Sequence, residues 1–163
     1  MDEIEKVGRA VLDAAFKVHT ALGPGLLESV YESALAIELI KQGHKVERQR
    51  AIPVFYEGEQ LEIGFRADLI VDNLVIVEVK SVQQVAELFK KVTYNYVRLI
   101  PLRLGFLINF NEAHLRNGIT RIVNNLDGKE FFFREEPAEY HFPSPPSRPS
   151  RDTEFSDTQN VHT

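Results

Sequence analysis

Apolar residues recur along the N-terminal segment at spacings of three and four: Ile4, Val7, Val11, Ala14, Val18 and Leu22. That period lays one apolar stripe on a helix running to about Leu22, which Gly23-Pro24-Gly25 then ends. A second helix is expected to about Gln42, with Leu27, Val30, Ala34 and Ile37 as its inner stripe and Gly43 as its stop. The period then shortens to two. Residues 44–56, 60–71 and 74–81 read as strands joined by turns at Glu57-Gly58 and Asp72-Asn73, an antiparallel meander. Helical spacing returns over 82–100 with Val85, Leu88, Phe89, Val92, Tyr96 and Leu99, and Pro101 bars continuation. Residues 104–110 are apolar on both faces, so they belong in the middle of a sheet. The helical crossover before them makes them the parallel partner of an earlier strand. A last helix is expected over 114–125, with Leu115, Ile119, Ile122 and Val123 inward, and Phe131-Phe132-Phe133 reads as a terminal strand or docking segment. The sum is an α/β fold, a mixed sheet flanked by helices.

Two polar residues interrupt the apolar strand after Asp72-Asn73. In Val75-Ile76-Val77-Glu78-Val79-Lys80, strand alternation sets Glu78 and Lys80 side by side on one face and Val77 and Val79 on the other. A charge inside such a strand costs several kcal/mol unless it pairs or binds a metal. Asp68, on the preceding strand, is the nearest partner in the chain, and the hairpin's parity decides whether it reaches Glu78. A two-residue turn at Asp72-Asn73 would set Ala67 opposite Glu78. A three-residue loop, or one β-bulge, sets Asp68 there instead, and that irregularity is expected near 72–74.

The chain has 163 residues, enough for one domain with its own core. It has no cysteine, which excludes disulfides, thiolate zinc sites and a cysteine nucleophile. The N-terminus lacks a basic start and an apolar core, and no stretch is long enough to cross a bilayer, so a soluble, cytoplasmic protein with no membrane partner is expected. The net charge of −5 argues against a polyanionic partner, but the charge is uneven. Much of the acid lies in residues 134–163. Between Lys80 and Arg121, seven basic residues, among them Lys90, Lys91, Arg98 and Arg103, face only Glu87 and Glu112, which reads as a solvated helix face or as a phosphate track. The end of the chain, around Pro143-Ser144-Pro145-Pro146-Ser147, is rich in Pro and Ser and without periodicity. Domain limits of 1–134 for the fold and 135–163 for a disordered acidic tail are expected.

Asp68, a spacer and then Glu78-Val79-Lys80 resemble the motif of the PD-(D/E)XK nuclease superfamily. Gly25-Leu26-Leu27-Glu28-Ser29-Val30-Tyr31 resembles the signature of the bacterial GxxExxY protein family, a branch of that superfamily, and the likeness continues through Arg66-Ala67-Asp68 and Leu104-Gly105-Phe106-Leu107-Ile108-Asn109-Phe110. The resemblance implies a restriction-endonuclease-like core and a divalent-metal-dependent nuclease, with Asp68, Glu78 and Lys80 at the motif positions. It also favours Glu28 as an additional site carboxylate, although a glutamate in a first helical turn otherwise serves the helix dipole. Tyr31 would contact substrate or support the site, with a packing role equally open. Related nucleases place a glutamine one turn before the tyrosine of the following helix. Here Tyr96 is present, but Val92 stands at the glutamine's place.

Under this reading Asp68, Glu78 and Glu28 would ligate Mg²⁺ or Mn²⁺, hard ions that suit oxygen donors, and the Val79 carbonyl is implied as a further ligand. Lys80 would orient the attacking water, or deprotonate it if neighbours lower its pKa, or otherwise hold the phosphate as a cation. Tyr31, Tyr96 and Lys91 are the expected substrate contacts. The partner is nucleic acid, DNA before RNA, and a homodimer is among the open assemblies. The rival is a catalytically inactive module that binds nucleic acid or protein, in which Glu78 and Lys80 simply pair; Val92 and the acidic charge favour it. A glycosidase leaves Lys80 unexplained and lacks a sugar-stacking Trp. His19 reads as a cap of the first helix or a site neighbour, His44 as exposed, and Asn109 and Asn111 as turn formers before substrate contacts.

Overall fold

The computed structural model describes residues 2–62 and 64–124 in full and the backbone of a strand at Phe131–Glu135. The expectation of a disordered Pro/Ser-rich tail lies outside the described residues.

Helix α1 spans Glu3–Leu22, with Glu3 and Glu5 at its N-terminal turn, where negative charge favours the dipole. Val7, Val11, Ala14 and Val18 are buried as their spacing predicts, joined by Leu12 and Ala15. Gly23 ends the helix at φ 70°, and Gly25 follows at φ 92°, left-handed conformations that glycine takes without steric penalty. Helix α2 covers Glu28–Lys41, but it buries a different stripe from the expected one. Tyr31, Glu32, Leu35, Ala36 and Leu39 face the core, while Leu27, Val30 and Ile37 are 74, 40 and 52% exposed. The cause lies in composition. α2 carries apolar residues on more than one side, so periodicity fixes the helix but not its rotation, and the large side chains Tyr31, Leu35 and Leu39 win the interior.

Six strands form one sheet in the order β1 (Val46–Ile52), β4 (Phe65–Val71), β5 (Val75–Lys80), β6 (Leu104–Asn109), β7 (Ile119–Asn124) and β8 (Phe131–Glu135). A separate two-stranded hairpin, β2 (Phe55–Tyr56) with β3 (Glu59–Gln60), turns at Glu57 and Gly58, both at positive φ. Long strands over 44–56 and 60–71 were expected, and each is instead interrupted, the first at Pro53. The β5–β6 pair is parallel, through helix α3 (Glu87–Leu99), and the other neighbours in the large sheet are antiparallel. The helix expected over 114–125 is corrected. A short 3-10 turn, Leu115–Gly118, leads into strand β7, because the β-branched run Ile119-Thr120-Arg121-Ile122-Val123 suits a strand and Asn117-Gly118 breaks any helix before it. The phenylalanine run lies in β8, as one of its two readings had it.

One apolar cluster joins α1 and α2 to the sheet through Val75, Val77, Val79, Phe106 and Ile108. The other joins α3 to the opposite face through Ile76, Leu107, Ile122, Tyr96 and Val97. The mixed, helix-flanked sheet of the α/β class is therefore present.

Candidate active site

The β4–β5 hairpin has the three-residue connection that the parity argument required. Leu69 pairs with Val77, Ile70 with Ile76 and Val71 with Val75, leaving Asp72, Asn73 and Leu74 as the loop. Asp72 and Asn73 have φ of 52° and 55°, and the Leu74 N–H donates to the Val71 carbonyl at 2.9 Å, the tight reversed turn that suits strand twist. One step past Leu69 and Val77, the ladder gives way to side chains. The Val79 N–H donates to Asp68 Oδ2 at 2.9 Å, and the Asp68 N–H to Glu78 Oε1 at 3.4 Å. Facing alternation also slips here. Ile70 and Ala67 pack in the α3-side cluster, with Leu69 and Val71 in the other, so one residue too many lies between them for a regular strand.

The fork thus brings Asp68 and Glu78 together in a poorly solvated place. Glu78 is 5% exposed, and burial, followed by the negative charge of Asp68, pushes its carboxyl up to about 8. Lys80 offsets this only in part, from 3.9 Å. Its ammonium also lies 5.3 Å from the centre of the Phe89 ring. Tyr96 forms the α3 wall. Its hydroxyl is pushed up to about 12 by burial and then by the charges of Glu78 and Asp68, so it stays protonated beside them at neutral pH.

Glu28 sits at the start of α2, and its Oε1 accepts the Ser81 N–H at 3.2 Å. Ser81 Oγ donates to the Leu26 carbonyl at 2.6 Å, and Asn109, fully buried, makes paired hydrogen bonds with the backbone of Val82. These contacts fix the chain as it leaves Lys80. Among the described residues no three His, Cys, Asp or Glu side chains are grouped to hold a metal. Of the three expected carboxylates, Asp68 and Glu78 come together, while Glu28 accepts from the backbone next to Lys80.

Tyr31 is fully buried and stacked on Phe110 at 4.5 Å. Its hydroxyl donates to the Gly23 carbonyl and accepts the Leu26 N–H at 3.0 Å, so it braces the glycine loop, and with no exposed surface it offers nothing for a substrate to touch. Lys91 is exposed on α3. Within the basic segment, Lys90 pairs with Glu87 and Arg121 with Glu5. His19 lies in the last turn of α1 with its ring against the Glu112 carbonyl at 2.8 Å, and His44 is partly buried against Asp72 at 2.6 Å.

Sequence reasoning missed Gln49 and Glu32. Gln49 Nε2 donates to Asp68 Oδ1 at 3.1 Å and to Glu32 Oε2 at 2.7 Å. The signal for Glu32 was its place in the stripe Tyr31, Leu35 and Leu39, where a charge would be buried. Gln49 left no mark short of the strand register.

A profile of the PD-(D/E)XK nuclease superfamily matches residues 5–122, more than two thirds of the chain. Searches of curated proteins and of solved structures returned no significant match. The chain belongs to the PD-(D/E)XK nuclease superfamily.

Proposed function

We propose that this member of the superfamily is a divalent-metal-dependent nuclease hydrolysing phosphodiester bonds of nucleic acid, and that it falls within the GxxExxY branch. The observation that carries the reading is the Asp68–Glu78 pair: two adjacent carboxyl groups, one nearly inaccessible, with Lys80 3.9 Å from Glu78 as the one cation paired with them among the described residues. A nearly buried carboxyl beside a second carboxylate, holding a proton that a cation can displace, fits a hard dication. Mg²⁺ is commonly held by one or two carboxylates with water and substrate phosphate filling the rest, so the donors present suffice. When bound, Mg²⁺ or Mn²⁺ would supply Lewis-acid charge for the phosphoryl oxygens and a more acidic water.

The chain's own groups take the remaining roles. Asp68 and Glu78 would hold the ion through oxygen. Lys80, on the same strand face as Glu78, orients the attacking water and steadies the phosphate as a cation. Glu28 and Asn109 anchor the backbone on the far side of Lys80, which keeps its ammonium directed at the carboxylates. Tyr96, protonated and next to both acids, supports the site from α3.

A second reading, a binding module without catalysis, draws on the Lys80–Glu78 contact and on the lack of a third grouped carboxylate among the described residues. The two separate in one assay. Purified protein is incubated with single- and double-stranded DNA and RNA in Mg²⁺, Mn²⁺ or EDTA, beside Lys80→Ala. Metal-dependent cleavage lost in Lys80→Ala supports the nuclease; binding without cleavage in any metal supports the module.

A further inference from the structure

Gln49 occupies the left-handed region at φ 52° within β1, where a residue with a long side chain is strained. The β1–β4 register sets Arg48 against Leu69 and Arg50 against Ala67, so Gln49 faces Asp68. These two are the only facing residues between the ends of the pair that drop out of the ladder. Their side chains bond instead. One amide nitrogen of Gln49 reaches both Asp68 Oδ1, at 3.1 Å, and Glu32 Oε2, at 2.7 Å. Glu32 is 6% exposed, and its other oxygen accepts from Arg48 Nε at 2.9 Å.

This arrangement fixes the amide's orientation. Turned over, Gln49 would press its carbonyl oxygen against two carboxylates, so the NH₂ group must face them. Asp68 is then held at both oxygens, Oδ1 by Gln49 and Oδ2 by the Val79 N–H, with a lone pair left on each for a further partner. A tie between α2 and β1 does not require Gln49, because Arg48 already bonds both Glu32 and Ser33. What Gln49 adds is the reach to Asp68, and the left-handed backbone is what that reach demands.

We propose that Gln49, anchored by Glu32, is a positioning residue for metal binding: it sets the rotation of the Asp68 carboxylate so that its free lone pairs face the ion. The inference rests on the metal-site reading above and extends it to two residues outside the ligand set. Partners that orient ligating carboxylates are worth about 10- to 100-fold in metal affinity.

The test titrates Mn²⁺ by calorimetry into wild type, Gln49→Met and Gln49→Gly, with a thermal melt of each. Methionine keeps the length without a donor, and glycine relieves the φ of 52°. A purely structural Gln49 would change the melts and leave Mn²⁺ affinity alone. The expected result is two folded variants, glycine melting no lower than methionine, both binding Mn²⁺ about 10- to 100-fold more weakly than wild type. Unchanged affinity in folded variants overturns the positioning role and leaves the metal site standing. Unfolding of both variants assigns Gln49 to the fold and likewise overturns it. Folded wild type that binds no Mn²⁺ removes the metal-site reading and this inference with it.

Discussion

Two glutamates in this protein are equally buried and differently satisfied. Glu32, in the seam between α2 and β1, is 6% exposed and accepts from Arg48 at 2.9 Å and Gln49 at 2.7 Å. Glu78, at the fork of β4 and β5, is 5% exposed, with the Asp68 N–H at 3.4 Å and the Lys80 ammonium at 3.9 Å as its nearest donors, and with another carboxylate beside it. The seam is a finished polar network, whereas the fork leaves room for one more positive charge. Burial alone therefore does not mark a functional carboxylate; burial without sufficient partners does.

The largest expected effects sharpen this contrast at the fork. Asp68→Ala removes a hard anionic ligand and should abolish Mn²⁺ binding measured by calorimetry. Lys80→Ala removes a cation that repels the ion, so Mn²⁺ should remain bound while cleavage falls by about 10²- to 10⁴-fold in a nuclease assay. Cleavage that survives Lys80→Ala would leave the nuclease standing and remove the role given to that lysine.

At the seam stability is measured beside the Mn²⁺ affinity that Gln49 and Glu32 are proposed to support. Glu32→Ala strips acceptors from Arg48 and Gln49 and should cost about 1–3 kcal/mol in denaturant unfolding. Leu35→Ala, on the same buried stripe of α2, should cost about 2–5 kcal/mol, while Leu27→Ala on the exposed side should stay within about 0.5 kcal/mol. Equal costs at positions 35 and 27 would contradict the rotation of α2.

The last effect concerns pH without metal. The folded protein holds the Glu78 proton up to about 8, whereas the unfolded chain releases it near 4.5. The folded state binds more protons across that window, so this group's contribution to stability is complete below it and is lost as pH rises through it, by at most about 1.4 kcal/mol per pH unit. Glu78→Gln should flatten the slope in unfolding curves taken from pH 5 to 8, and saturating Mn²⁺ should flatten it in wild type. A wild-type slope of opposite sign from this residue would refute its raised value.

The fork was largely legible in the sequence because it rests on strand alternation and on chain parity, both local. Glu78 and Lys80 stood out among valines, and the demand for a three-residue loop followed from counting. The rotation of α2 was not legible, since Leu27, Val30 and Ile37 make as good a stripe as Tyr31, Leu35 and Leu39, and only packing against the sheet chooses. The segment at Ile119–Asn124 failed for a similar reason: Ile119, Ile122 and Val123 fit a helix by spacing and a strand by side-chain branching, and pairing with β6 decided it. Gln49 was out of reach altogether, because its role needs a register across two strands separated by a hairpin and a backbone angle that its residue type does not foretell.

The central claim is that the Asp68–Glu78 pair binds a dication in place of the proton that Glu78 otherwise keeps. Calorimetry of Mn²⁺ binding at pH 7, repeated in buffers of different ionisation enthalpy, counts the protons released. With the Glu78 carboxyl at about 8, wild type should bind Mn²⁺ and release about one proton per ion, fewer at pH 9, and Glu78→Gln should bind far more weakly without that release. Mn²⁺ binding with no proton release at pH 7, or affinity untouched by Glu78→Gln, would contradict it.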